Sequence, residues 1–336
     1  MAASSRSAIA RKVWLLALAI VLVIAIYTGG WFYAASALKE RTLALLGSKE
    51  ADGVTVECLD ASYRGYPFRI GLFCSRVNLD DRTHGISATL GALRSAAQVY
   101  DPGHIVWEVD GPAEVRTSHG LSVSSNWENL QSSLVANDGR LERSSTVIQQ
   151  VATSLVSTAA GQALNVAADR MEIHLRQNGN DLDAALSLQN VRATGEGLAD
   201  VSLPAGSAVV DVTLVGRAGM VDGTDPSGLA LYGTEGEMRR LAVDLGEGRL
   251  VTVTGPFSID GDGYLSGRLK VQVEQIDAWR DSVAAAFPDI EPVLRTVSGM
   301  LSALTGGGQN ASIDLTIERG KVLAGGFIPI GEIPPI

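Results

Sequence analysis

Hydrophobic and polar positions divide the chain into one long apolar run near the N-terminus and many short alternating runs after it. Residues 13–35 carry no formal charge over 23 positions. At 1.5 Å per residue this length crosses a hydrocarbon layer of ~30 Å as a helix. We therefore expect a cytoplasmic tip at residues 1–12 and a transmembrane anchor at 13–35, with aromatic residues near both ends.

The residues that flank this run predict its orientation. Arg6, Arg11 and Lys12 precede it without an acidic residue among them, which favours a cytoplasmic N-terminus, a single pass through the inner membrane and a periplasmic C-terminal part. A cleaved signal peptide is the alternative, because Ala35-Ser36-Ala37 has the form that signal peptidases accept. The apolar core is long for a signal peptide, and both interpretations place the bulk of the chain outside the cytoplasm.

A helical stalk and a joint are expected at residues 36–53, with the helix ending at Gly47 as a C-cap. Residues 54–336 then read as an exported antiparallel β domain, because apolar and polar residues alternate with period two between turn residues. The segment 147–160 fits helix or strand and is left open. Predicted strands cover 54–58, 68–74, 105–109, 113–117, 121–125, 130–136, 141–148, 164–175, 182–191, 209–215, 242–245, 250–258, 264–273, 313–317 and 322–323, with turns at Asn137-Asp138-Gly139 and at 177–181.

Helical spacing returns near the C-terminus. Two amphipathic helices separated by Pro288 are expected within residues 276–304, where they would close one end of the sheet. The proline-rich tail suits an extended segment on an apolar surface. The predicted fold class is mainly β with a few helices: an N-terminal transmembrane helix, a large curved antiparallel sheet and two helices near the C-terminus.

The chain contains two cysteines, Cys58 and Cys74. Exported proteins usually pair cysteines this close in sequence, so we expect a disulfide, with two separate buried thiols as the alternative. The alternating pattern of the two predicted strands would place Cys58 opposite Cys74.

The loop between these cysteines is rich in aromatic and basic residues. One interpretation is a rim for an anionic headgroup; the other, which we favour, is a hairpin corner whose aromatic rings pack at the end of the sheet beneath arginine stems. The residues concerned are Tyr63, Arg64, Tyr66, Phe68 and Arg69.

Charge and motif content limit the function. Beyond the N-terminal tip there are 24 basic residues (27 minus 3) against 37 acidic ones, a net charge of about −13, which excludes nucleic acid as a favoured partner. No nucleophile elbow, phosphate loop or metal-ligand spacing occurs; Asp260 and Asp262 match only part of a calcium loop. We expect no enzyme activity, no cofactor and no metal.

The pattern of Cys58, the corner Gly65-Tyr66-Pro67-Phe68-Arg69-Ile70 and Cys74 resembles a family of exported, single-anchor alphaproteobacterial proteins, domain-of-unknown-function family 2125. Residues 255–260, Gly267 and the tail 328–335 are similar too. In architecture, an anchor followed by a long antiparallel sheet resembles the AsmA-like envelope proteins, which implies an open sheet that handles lipids.

Two functions remain as hypotheses. The first is an envelope protein whose concave apolar face binds or guides a lipid or another hydrophobic ligand. The second is a structural or regulatory module on a closed sandwich that contacts other envelope proteins. They differ in whether the inward residues leave a continuous apolar trough or pack against a second sheet.

Overall fold

A computed structural model describes residues 4–50, 53–137, 140–157, 161–195, 204–221, 224–225 and 230–336. The described strands all belong to one antiparallel sheet, in agreement with the predicted fold class. The helices are α1 (Ser4–Glu50), α2 (Ile276–Ala286) and α3 (Glu291–Leu304), with single 3-10 turns at Ala218–Met220 and Pro288–Ile290. The strands are β1 (Val54–Leu59), β2 (Ser62–Arg64), β3 (Arg69–Cys74), β4 (Arg76–Asp81), β5 (Ile86–Leu90), β6 (Leu93–Gln98), β7 (Asp101–Val109), β8 (Ala113–Thr117), β9 (Leu121–Asn126), β10 (Asn129–Asn137), β11 (Arg140–Ser157), β12 (Gln162–Asn178), β13 (Asp181–Gly195), β14 (Gly206–Leu214), β15 (Thr234–Asp244), β16 (Leu250–Ile259), β17 (Leu265–Val273), β18 (Ala311–Glu318), β19 (Lys321–Ala324) and β20 (Ile328–Glu332).

Helix α1 contains the predicted apolar segment. Ala10–Leu38, 29 residues, is long and apolar enough to cross a membrane. The predicted helix end at Gly47 is wrong, because α1 continues to Glu50. A glycine inside a helix costs only ~1 kcal/mol relative to alanine, which does not end a helix of this length.

Most predicted strands are confirmed, and several are longer than the pattern indicated. The undecided segment 147–160 is strand as far as Ser157, and residues 158–160 lie outside the described residues. So do Asp138 and Gly139 of the predicted Asn137-Asp138-Gly139 turn. Strand β15 begins at Thr234, well before the predicted residue 242. The tail forms β20, which hydrogen-bonds to β19 as a further strand.

The strand pairing is a simple meander. Segments β1 and β2 are two halves of one long strand, because β1 pairs with β4 and β2 pairs with β3 in the same continuous register. Segments β3 and β4, β5 and β6, β7 and β8, and β9 and β10 join into long strands in the same way. The register shifts by one residue between the two halves where β5 and β6 pair with β8 and β7, and where β7 and β8 pair with β10 and β9. Counted in this way, each described long strand pairs only with the strands that precede and follow it in sequence.

A bend crosses the first eight long strands at matching register positions. Its residues are mostly polar, and three of them have left-handed backbone: Asp60 with φ 54°, Gln150 with φ 51° and Asn190 with φ 53°. Side chains tie neighbouring strands together along it, including Ser75 Oγ with Asp60 Oδ2 at 2.6 Å and Asn190 Nδ2 with Asp169 Oδ2 at 2.6 Å. We call this line the crease.

The disulfide shows how sharp the crease is. Cys58 and Cys74 are bonded, with their Cα atoms 5.2 Å apart. The prediction that Cys58 lies opposite Cys74 is wrong, because Cys58 pairs with Val77. In a flat sheet an offset of three residues at 3.3 Å each, together with one strand spacing, would separate the two Cα atoms by ~11 Å. The shorter distance requires the hairpin to fold at the crease, with the disulfide on the inside.

Within the described residues, a compact core lies where the two short helices meet the sheet. Ile276, Leu301 and Ala311 are at most 7% exposed, and they pack with half-buried side chains from β17, β18 and α3. This matches the expectation that two helices close one end of the sheet.

Candidate functional site

One face of the sheet is apolar and the other is polar. Strands β12 and β13 show this most clearly: Met171 pairs with Leu188 and Ile173 with Leu186, while the alternate position Glu172 pairs with Ser187. Because side chains alternate across a strand, the apolar pairs share one face. Cys58 and Cys74 lie on opposite sides of the crease and are bonded to each other. The apolar faces of both halves of the sheet therefore lie on the inner side of the crease.

An unbroken apolar row crosses twelve strands on this inner face. Its members follow the pairing register from the disulfide to the helical core, and Val109 and Leu130 occupy the position directly after the last β7–β10 pair. They are Cys74, Leu93, Val109, Leu130, Ile148, Met171, Leu188, Ala208, Val243, Val251, Val273 and Ala311. Eleven steps of ~4.8 Å make the row ~53 Å long. We call the inner face along this row the trough.

The middle of the trough is open. Cys74, Val109 and Ala311 are buried, whereas the residues between Leu130 and Val251 are only half-buried. The chain exposes 20336 Å², compared with ~13,000 Å² for a compact monomer of this mass. The exposed apolar side chains of α1 and the half-buried inner face of the sheet contribute to this excess. A closed sandwich would bury the whole row, so the geometry agrees with a trough.

Helices α2 and α3 cover the far end of the trough. Between them and the sheet lies a cavity of about 190 Å³, lined by apolar side chains that include Val251, Trp279 and Val297. The buried Trp279 Nε1 has no hydrogen-bond partner among the described residues. An unpaired N–H donor on an apolar wall can donate a hydrogen bond to the carbonyl oxygen of an acyl ligand.

The outer face is held by charged and polar networks. Asp183 Oδ2 accepts from Arg176 at 2.6 Å, and its Oδ1 accepts from Thr213 at 2.8 Å and from Arg239 at 3.0 Å. Burial raises the pKa of the Asp183 carboxyl, but the hydrogen bonds from Arg176 and Thr213 and the charge of Arg239 outweigh it. The pKa of Asp183 therefore lies below its ordinary value.

The hairpin tip, residues 65–68 between β2 and β3, packs on helix α1. Tyr66 lies edge-on to Trp31 at 5.6 Å and stacks on Phe32 at 5.9 Å. Its hydroxyl is 2.7 Å from Thr28 Oγ1, and Trp31 Nε1 donates to the Arg69 carbonyl at 3.0 Å. Trp31 is 7% exposed as a result. The tip can turn this tightly because Gly65 has φ +118°, where an added Cβ would lie 2.8 Å from the Arg69 carbonyl oxygen.

The structure separates the five predicted rim residues. Tyr63 pairs with Leu72 on the inner face, whereas Arg64 lies over the Phe73 ring at 5.0 Å on the outer face. Tyr66 packs against α1, and Phe68 and Arg69 are exposed beside it. These residues therefore do not form one rim, and Tyr66 packs on a helix, which the corner interpretation did not predict.

The partial calcium motif is occupied by an arginine. Arg319 donates to Asp260 Oδ2 at 2.6 Å and to Asp262 Oδ2 at 3.0 Å. Asp260 Oδ1 accepts from two backbone amides of its own loop. In the part of the chain that the structure describes, no group of three or more His, Cys, Asp and Glu side chains is placed to hold a metal ion.

Sequence reasoning missed the contact between α1 and the hairpin tip and the continuity of the trough. The aromatic residues at 31–33 suit the end of a transmembrane anchor, so no separate signal in the sequence indicates that they contact the protein. The trough could have been found by aligning the inward positions of successive predicted strands, because each hairpin places inward residues of one strand opposite inward residues of the next.

Comparison with known proteins agrees with the resemblance read from the cysteine-flanked corner. Neither a curated protein nor a solved structure matches the chain. A family model described as "Uncharacterized protein conserved in bacteria (DUF2125)" matches residues 31–334, from Trp31 in helix α1 to the C-terminal tail. The chain therefore belongs to this uncharacterized bacterial family.

Proposed function

We propose that this protein is a non-enzymatic, membrane-anchored envelope protein that binds or guides a lipid, or another hydrophobic ligand, along the trough. The observation that carries the proposal is the apolar row, which runs through twelve strands without a polar interruption and is half-open over its middle. A row of ~53 Å is longer than one lipid tail, so it suits an elongated apolar ligand.

The anchor and the compartment belong to the same proposal. α1 spans the inner membrane with its basic end in the cytoplasm, and the sheet lies in the periplasm, where the oxidising environment maintains the disulfide. The contacts of Trp31 and Tyr66 support an uncleaved helix, since cleavage after Ala37 would remove the ring on which the tip packs.

The alternative of a closed sandwich that recruits other envelope proteins is less well supported. The inner face between Leu130 and Val251 is not covered by a second layer among the described residues.

Site-specific photocrosslinking on the full chain tests the proposal. A photoreactive amino acid is placed at Leu188, in the middle of the row, or at the neighbouring Ser187, which faces the outer side of the same strand. After irradiation in membranes, we expect lipid adducts by mass spectrometry at position 188 and none at 187. Equal lipid labelling at both positions, no lipid labelling at 188, or protein adducts at 188 would refute the lipid trough.

A matched pair of substitutions gives an independent measurement. Leu188→Lys adds a charge to the trough, whereas Ser187→Lys adds the same charge opposite Glu172 on the outer face. With a photoreactive phosphatidylethanolamine analogue as probe, labelling should fall several-fold in Leu188→Lys and stay at the wild-type level in Ser187→Lys. Unchanged labelling in Leu188→Lys would contradict the proposal.

A further inference from the structure

The structure fixes the depth of the hairpin tip relative to helix α1. If the hydrocarbon layer begins at Val13, directly after Arg11 and Lys12, then ~20 residues at 1.5 Å each carry the helix across it to about Phe32. The tip contacts α1 below that level, through Tyr27 and Thr28. Tyr27 lies five residues before Phe32, or ~8 Å deeper.

Four backbone carbonyls at and beside the tip are hydrogen-bonded within the protein. A loop in hydrocarbon must satisfy its backbone polar groups internally. The carbonyls of residues 65, 67, 68 and 69 all accept hydrogen bonds from within the protein: from Arg69 N, from Tyr27 Oη, from Val99 N and from Trp31 Nε1 respectively. Pro67 has no N–H to satisfy.

The same contacts satisfy the polar groups of the helix. The hydroxyls of Tyr27 and Thr28 lie inside the apolar segment, where an unpaired hydroxyl is unfavourable. Tyr27 donates to the Pro67 carbonyl, and Thr28 pairs with the Tyr66 hydroxyl at 2.7 Å. Each element therefore supplies the hydrogen-bond partners that the other would lack in lipid.

Large apolar side chains project from the tip and from the neighbouring turn. Phe68 is 69% exposed, and Tyr100, in the turn between β6 and β7, is 78% exposed. Val99 N donates to the Phe68 carbonyl at 3.0 Å, so the two turns lie side by side. Adjoining exposed aromatic side chains mark an interaction surface, and Tyr is favoured where one end of a ring is in lipid and the other is in water.

From these observations we propose that residues 65–68 and the turn of Val99 and Tyr100 insert into the bilayer leaflet nearest the sheet. The inference rests on the membrane insertion of α1 in the proposed function, and it does not depend on lipid in the trough. Its consequence is that the sheet begins inside the leaflet, so the first strands that carry the trough start in contact with lipid.

Spin labels on single introduced cysteines of the full chain test the insertion. The native cysteines are joined in the disulfide and do not react with the label. Labels at Phe68→Cys and Tyr100→Cys are compared with His119→Cys, in a turn at the opposite strand ends, and with Ile20→Cys in the middle of α1. The protein is reconstituted in vesicles of phosphatidylethanolamine and phosphatidylglycerol, and accessibility to oxygen and to a water-soluble nickel complex is measured.

We expect the ratio of oxygen to nickel accessibility at positions 68 and 100 to be several-fold above that at 119 and below that at 20. If the accessibility ratios at positions 68 and 100 equal the ratio at position 119 while position 20 lies in hydrocarbon, the insertion of the tip is overturned and the anchor is not. A water-accessible label at 20 would overturn both the anchor and the insertion. The two tip positions lie in different turns, so a local folding defect at one leaves the other as a test.

Discussion

Replacing Cys58 and Cys74 with serine should loosen the first hairpins and leave the far sheet unchanged. The disulfide closes a loop with a sequence separation of 16, for which the chain-entropy model gives ~3 kcal/mol. At ~1.4 kcal/mol for each tenfold change in an equilibrium constant, local opening should rise by ~100-fold. The bond also holds two residues together across the crease, so its loss acts where the sheet folds.

Hydrogen–deuterium exchange on the full chain measures this directly. Peptides from β1 to β4 should exchange ~100-fold faster in the variant, whereas peptides from β16 to β18 should keep the wild-type rate, because each strand is hydrogen-bonded only to its sequence neighbours. A Cys58→Ala, Cys74→Ala variant controls for the polarity of serine at the buried Cys74. Equal acceleration across the whole sheet would show that it opens as one unit, and no acceleration would show that the disulfide adds no stability.

Three further predictions concern single interactions. Asp183→Asn should lower the free energy of unfolding, measured in urea, by ~1–3 kcal/mol. The pKa of Asp183 is lowered in the folded state, so its stabilisation is present above the unfolded pKa of ~3.9 and is lost as the pH falls through the lower folded value. The variant should therefore lose less stability than the wild type below pH ~4, and identical pH profiles would contradict this. Leu301→Ala, in the helical core at 5% exposure, should lower the free energy of unfolding by ~2–5 kcal/mol. Trp279→Phe removes an unpaired donor and should leave the free energy of unfolding in urea unchanged or raise it by ~1 kcal/mol. A large loss of stability in Trp279→Phe would show that the indole N–H has a partner. A double-mutant cycle of Thr28→Val and Tyr66→Phe should give a coupling free energy of ~0.5–1.5 kcal/mol between the two hydroxyls. It is measured by hydrogen–deuterium exchange of the tip amides, and additive effects would show that the two hydroxyls do not interact.

Local alternation was enough to predict most of the sheet. In β12 and β13 the apolar and polar positions follow period two on each side of the crease, and the strands were identified within a few residues of their ends. The same pattern did not show that these strands form one meander, because pairing is a relation between segments.

The crease explains the segment that remained undecided. Ile148 and Val151 both belong to the inner face, because Gln150 between them has left-handed backbone and shifts the alternation by one residue. Apolar residues spaced by three fit a helix as well as a strand. Left-handed backbone at a residue other than glycine is uncommon, so the pattern alone did not indicate it.

The early part of β15 was missed for a related reason. Two of its inward positions are Gly236 and Met238, and the first has no side chain to contribute to the pattern. The Phe257 ring covers Gly236 so closely that an added Cβ would lie 2.6 Å from it. The apolar surface at that position comes from a residue in the next strand, so the hydrophobic pattern of β15 alone cannot show it.

The candidate site was only partly predictable. The long apolar helix, the disulfide and the two helices at the end of the sheet followed from composition and periodicity. The separation of the rim residues did not, because it depends on Tyr66 packing against a helix 35 residues earlier in the chain.

The strand order has a consequence for assembly of the sheet during the export that we propose. Each described strand needs only the strand before it, so hydrogen bonding can advance in the order in which the chain emerges, without waiting for a distant partner. In the proposed topology, helix α1 enters the membrane first and also supplies the surface on which the first hairpin packs. In that topology the sheet grows outward from the bilayer, and unpaired backbone is limited to the strand that emerged last.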